Sequence, residues 1–122
     1  VASRFVTTWE CDADIRYKES YLNAAPEDIL IVKSPVGMPG RAIANPFIRH
    51  IMEGERRPPK KCLACIKTCN PAKTPYCITE ALINAAKGNI ENALLFCGAD
   101  AWKAEKIETV KEVIDSLFES CV

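Results

Sequence analysis

Four cysteines crowd one short stretch of the chain, Cys62, Cys65, Cys69 and Cys77, at the spacing C-x2-C-x3-C-x7-C. The thiolate, not the thiol, is both nucleophile and metal ligand. Thiolates packed this densely repel one another and compete for oxidation unless a metal or a disulfide holds them. Three close thiolates from one loop and a fourth from a later turn are what an iron–sulfur cluster takes. Zinc sites more often pair two C-x2-C knuckles, and here the second half is stretched. The spacing leaves three outcomes open: a cluster, zinc, or cysteines that are free or disulfide-paired. The remaining cysteines, Cys11, Cys97 and Cys121, have apolar neighbours and read as small core residues. His50 follows Arg49 on an amphipathic stretch with no orienting acid or cysteine nearby in sequence. A surface or structural role is expected for it, and no residue of the chain is assigned a catalytic one.

With 122 residues, 48 % of them hydrophobic and 26 % charged, the chain is large enough for one compact domain with an apolar core. Sixteen basic residues balance sixteen acidic ones, and no local basic patch stands out, which argues against nucleic acid. No apolar run approaches the roughly 20 residues that span a bilayer, so no membrane role is expected. No charged leader with an apolar h-region opens the chain, and seven cysteines is an odd number. An extracellular disulfide framework is therefore the weaker reading, and a cytoplasmic location, where dense cysteines go with metal or redox chemistry, is expected.

The elements that must position these residues follow from caps and periodicity. The chain enters at once a strand-like run, Arg4–Trp9, and reads as a piece of something longer. Acidic caps at Asp12 and Asp14 precede a helix carrying Tyr17, Tyr21 and Leu22, which Ala25-Pro26 stops. Ile29–Val32 is a β-branched run closed by Ser34-Pro35 and reads as a buried strand. The stretch Pro35–Arg41, rich in Pro and Gly, reads as a shaped loop at a substrate mouth, an interface or a barrel edge. Asn45 as cap and Pro46 at the first helical position start a helix whose apolar face is Phe47, Ile48, Ile51 and Met52, and Gly54 ends it. Glu55–Lys61 reads as a solvated, proline-stiffened linker whose cations would favour thiolates or an anionic cluster. Thr74-Pro75 reads as a second cap-plus-proline helix start, with Ile78, Ala81, Leu82 and Ala85 on one face and a stop at Lys87-Gly88. That start places Cys77 in a first turn, at the positive end of the helix dipole. Thr109 and Glu112 fit a capping box ahead of a last amphipathic helix, Val110, Val113, Ile114, Leu117, Phe118 and Cys121. About two strands against four or five helices are too few to bury a sheet, as in an α/β protein cut part-way.

Several of these segments meet in one family. Ala2-Ser3-Arg4-Phe5-Val6-Thr7-Thr8 with Glu10-Cys11-Asp12, then Tyr17-Lys18, resembles the last barrel strand and following helix of the nitronate monooxygenase (2-nitropropane dioxygenase) family. That family is similar to the flavin-dependent type II enoyl-acyl-carrier-protein reductases. Lys33–Ala42 and the stretch from Gly88-Asn89 to Phe96-Cys97-Gly98 resemble the C-terminal part of its clostridial-type members. The resemblance implies an α/β fold, the C-terminal part of an FMN-binding TIM barrel, a fold that takes about 250 residues. Residues 1–25 would be the last barrel strand and helix, and 26–122 a C-terminal extension holding the four-cysteine loop 62–77.

In such barrels the phosphate sits by the loops after the last two strands. The family's Gly-Thr-Arg-Phe pattern falls on Ala2, Ser3, Arg4 and Phe5, with Ala2 in place of the glycine. The resemblance thus implies the Ala2 and Ser3 amides and the Ser3 hydroxyl as donors to the FMN phosphate. It also implies that the family's catalytic groups lie outside this chain. The expected function is an FMN-dependent oxidoreductase that oxidises alkyl nitronates, with an NAD(P)H-dependent enoyl-acyl-carrier-protein reductase as the alternative. Its expected partners are a small-molecule substrate, the N-terminal part of the barrel and a second copy in a homodimer. The reading from a different class is a small non-enzymatic iron–sulfur or zinc protein built on Cys62, Cys65, Cys69 and Cys77.

Overall fold

The structure, a computed structural model, describes residues 1–119; the Cys121 assignment lies outside them. The described residues form five α-helices and two strands, with 3-10 turns before β1 and between the last two helices: α1 (Ala2–Val6), α2 (Ile15–Leu22), β1 (Ile29–Lys33), β2 (Pro39–Ile43), α3 (Pro46–Met52), α4 (Ile78–Lys87) and α5 (Val110–Glu119). Three helix starts form as their caps dictate. Asp14 accepts the amide of Arg16 at 2.9 Å, and Asn45 Oδ1 accepts that of Ile48 at 3.0 Å. The Thr109–Glu112 box closes in both directions, at 3.3 and 3.1 Å. Gly88 ends α4 at φ +83°, the left-handed conformation that suits glycine.

Five expectations need correction, the last of them the linker before the cysteine loop. The run Arg4–Trp9 is not a strand: α1 occupies Ala2–Val6, and only Thr8 pairs, in a parallel bridge to Glu108. A strand cannot satisfy its own backbone groups, and with a single bridge on offer the helix, which can, takes the segment. The loop expected over Pro35–Arg41 ends early, because Pro39–Ile43 is β2, antiparallel to β1 with Ile29 opposite Ile43 and Lys33 opposite Pro39. Pro39 is tolerated because it is the first residue of the strand. At Gly40 a Cβ would come within 2.4 Å of the Phe96 ring, so the glycine admits that ring against the strand. β1 is not buried on both faces, since Val32 is 5 % exposed and Ile31 59 %. Next, α4 begins at Ile78, three residues beyond Pro75, because the Thr74 hydroxyl donates to Tyr76 O at 2.8 Å instead of capping a turn. Cys77 is consequently the N-cap residue and not a first-turn residue.

The segment Leu94–Cys97 lies beside β2, with Ile43 N donating to Leu95 O and Cys97 N to Arg41 O, both at 3.0 Å. Extended backbone sends successive side chains to opposite faces. Leu94 accordingly joins one core with Val32, Phe47, Ile48, Tyr76 and Ala81, while Leu95 joins another with Tyr21, Ile43, Ala85 and Ala101. Asn45 braces the junction, donating to Ala93 O at 2.7 Å and Ile90 O at 3.1 Å.

The linker Glu55–Lys61 is not simply solvated. Arg57 N donates to Pro75 O at 2.7 Å, and the Arg57 guanidinium lies 5.5 Å from the Phe47 ring centroid while reaching Asn92 Oδ1 at 3.1 Å. Arg56 donates to Thr74 O at 2.9 Å and Pro71 O at 2.8 Å. Two arginines thereby tie the far end of the cysteine loop to its start.

Candidate functional site

Two concave regions carry the residues singled out in the sequence. The first is a cleft of about 540 Å³ between the N-terminal segment and residues 98–108. α1 is fixed there by Thr8 Oγ1 donating to Phe5 O at 2.7 Å, by Glu108 N donating to Thr7 O at 3.1 Å and by Trp9 N donating to Glu108 O at 2.9 Å. Ser3 faces the cleft, and its Oγ accepts the Gly98 amide at 3.1 Å. A Cβ at Gly98 would sit 2.8 Å from that oxygen, so the wall opposite Ser3 is bare backbone. The first back-bond of α1 is Arg4 N to Val1 O at 3.0 Å, and the first amides of a helix have no acceptor within it. Ala2 is not among the lining residues; its contribution is limited to its place at the start of α1.

Charge in this cleft cancels. Arg4, Lys103 and Lys106 line it together with Asp100, Glu105 and Glu108; Arg4 pairs with Glu108 at 3.3 Å and Lys103 with Asp100 at 3.3 Å. An anion in this cleft would be held by oriented dipoles, the helix-start amides and the Ser3 hydroxyl, more than by net charge. Those groups fit a phosphate.

The second region is a cavity of about 580 Å³ whose wall includes Cys62, Cys65, Cys69 and Cys77 together with Lys60, Lys61 and Lys67. All six described cysteines are free. Among the described residues no three acidic, histidine or cysteine side chains converge closely enough to ligate one metal ion. Cys65 Sγ lies 3.2 Å from Thr79 Oγ1, and Cys62 Sγ accepts the Ala64 amide at 3.4 Å. The structure thus brings the four cysteines to one cavity without closing them on one point.

Two sites that sequence reasoning weighed or missed are also defined. His50 is structural: Arg57 Nη2 lies 2.8 Å from Nδ1 and Glu55 Oε2 3.3 Å, because Gly54, at φ +98°, turns the chain back toward the helix. It lines neither concave region. Missed was the stacked pair Tyr17–Tyr21, rings 5.7 Å apart, whose hydroxyls both address Phe96 O, at 3.5 and 2.7 Å. Burial pushes both hydroxyls above the ordinary tyrosine range, and it does the same to the Cys97 thiol beside them. The i, i+4 spacing of the tyrosines was a visible signal. Their shared acceptor, 75 residues downstream of Tyr21, was not.

The nitronate monooxygenase family profile matches residues 1–120. The chain belongs to that family. Its fold matches FabK from Thermotoga maritima with a TM-score of 0.73 and 25 % identity over 96 % of this chain. The M276A mutant of the same protein gives a TM-score of 0.70 and 23 % identity over 97 % of this chain. The similarity to type II enoyl-acyl-carrier-protein reductases, also expected from the sequence, holds. This chain spans only 34 % and 32 % of those two structures, so it corresponds to part of a TIM-barrel protein, and its described residues are mostly helical with two strands. No curated protein sequence matches it. Among the described residues no helix is long and apolar enough to cross a membrane.

Proposed function

We propose that this chain serves an FMN-dependent oxidoreductase of the nitronate monooxygenase family and supplies the phosphate end of its flavin site. The observation that carries the reading is the bare-walled cleft where Ser3 and the start of α1 meet Gly98. The Ser3 amide and hydroxyl would hold the phosphate, with Ala2 contributing only its place at the start of α1, and Gly98 keeps the approach open. Bound FMN supplies the two-electron chemistry. This chain's residues anchor and orient the cofactor; the flavin-ring slot and the catalytic groups come from the N-terminal part of the barrel. The substrate is a small molecule, an alkyl nitronate, with an enoyl thioester reduced at the expense of NAD(P)H as the alternative.

The test is FMN affinity and turnover in the whole protein. Ser3→Ala removes a hydrogen bond to a charged group, about 1.5–3 kcal/mol, and should weaken FMN roughly ten- to a hundredfold. Unchanged affinity would remove the assignment. Oxygen consumption with an alkyl nitronate, and no nicotinamide oxidation with an enoyl thioester, is the expected activity; the reverse pattern selects the alternative.

A second reading is favoured by one observation. All four cysteines of the C-x2-C-x3-C-x7-C stretch line a single cavity, which supports a metal centre, iron–sulfur or zinc, on this loop.

A further inference from the structure

We infer that the cavity ringed by Cys62, Cys65, Cys69 and Cys77 holds an iron–sulfur cluster and not a single zinc ion. This rests on reading the four cysteines as a metal centre. Zinc draws four sulfurs to about 2.3 Å from one point and leaves no space between them. A cubane cluster instead places iron and sulfide between four thiolates that stay apart. Here Cys62, Cys65, Cys69 and Cys77 line a cavity of about 580 Å³ that shares no lining residue with the cleft at Ser3, and among the described residues they do not converge on one metal ion.

The backbone of the loop is shaped toward the same end. Ala64, at φ +52°, is the one non-glycine among the described residues in the left-handed region, a conformation that its Cβ opposes. That conformation accompanies the 3.4 Å contact in which the Ala64 amide donates to Cys62 Sγ. Amide hydrogen bonds to the sulfurs are one of the means by which proteins set the potential of such clusters. No disulfide holds the loop, and its leading apolar residue, Leu63, is 64 % exposed. What holds it from outside is Arg56 on the Pro71 and Thr74 carbonyls and the Arg57–Pro75 backbone bond.

The surroundings suit an anionic group. Lys60, Lys61 and Lys67 line the cavity, and Glu80, the carboxylate in its wall, accepts the Lys60 amide at 3.4 Å. Cys77 is the N-cap residue of the ten-residue helix α4.

The test is anaerobic purification of the whole protein, with iron, acid-labile sulfide, zinc and FMN measured per chain. The inference expects about four iron and four sulfide, and a paramagnetic signal on dithionite reduction. Cys69→Ser and Cys65→Ser should each lose most of the iron while keeping FMN, which shows that the fold persists. Ala64→Gly, which relieves the left-handed strain, should keep the iron and shift the cluster's potential. Zinc in place of iron would overturn the inference and leave the metal-centre reading standing. Neither metal, with FMN intact, would overturn both.

Discussion

The molecule has two sides that meet at Leu94 and Leu95, and they are built differently. On the Leu95 side, the core around Tyr21 backs a cleft whose walls come from segments far apart in the chain, residues 1–7 and 98–108. On the Leu94 side, the core around Tyr76 backs a cavity drawn from one continuous stretch, residues 59–83. The polar satisfaction of the two cores differs as well. The Tyr21 hydroxyl donates to Phe96 O, whereas the buried Tyr76 hydroxyl has no partner among the described residues. A site assembled from distant segments needs its core to hold them in register. A site carried on one loop needs only that the loop be tied at its ends, which Arg56 and Arg57 do.

The largest expected effects break the comparison directly. Leu94→Ala and Leu95→Ala each remove a fully buried side chain and should each cost about 2–5 kcal/mol in urea unfolding. Their local consequences should separate: Leu94→Ala raises proteolytic cleavage within residues 58–75, and Leu95→Ala does not. Equal cleavage in both variants would show that the two cores behave as one.

Smaller effects sharpen the contrast between the tyrosines. Tyr21→Phe removes the 2.7 Å bond to Phe96 O and should cost about 1–2 kcal/mol, whereas Tyr76→Phe removes an unpaired hydroxyl and should be neutral or stabilising by up to about 1 kcal/mol. Burial lifts the Tyr76 hydroxyl to about 12 and Tyr21 further still. Above about pH 10 the unfolded chain therefore binds fewer protons than the folded one, so this stability is complete below that pH and falls as the pH rises. Melting temperatures followed from about pH 8 to 11 should drop for the parent chain, and less steeply for Tyr76→Phe. A cost for Tyr76→Phe equal to that of Tyr21→Phe would mean that its hydroxyl is bonded and the two cores alike.

What could be read from the sequence follows the same division. The helices α2, α3 and α5 announce themselves through caps a few residues from the faces they start, and the cysteine loop through its own spacing, because in each case partner groups are neighbours in the chain. The run Arg4–Trp9 reads as a strand because Phe5, Val6 and Trp9 favour one, but the one bridge it finds is from Thr8 to Glu108, a hundred residues away, and Ala2–Val6 folds as a helix. β2 hides in a Pro-Gly run for a similar reason: Gly40 is there for the ring of Phe96. Thr74-Pro75 looks like a helix start until Arg57 takes the Pro75 carbonyl into the clamp. The cleft at Ser3 has no local signature at all, and only the resemblance to a family pointed to it.

The most direct test of the account is the flavin content of the whole protein carrying Ser3→Asp. A carboxylate at that position would stand where the phosphate is placed and repel it. The account predicts at least tenfold weaker FMN binding with iron and sulfide unchanged. Full flavin occupancy in that variant would contradict it.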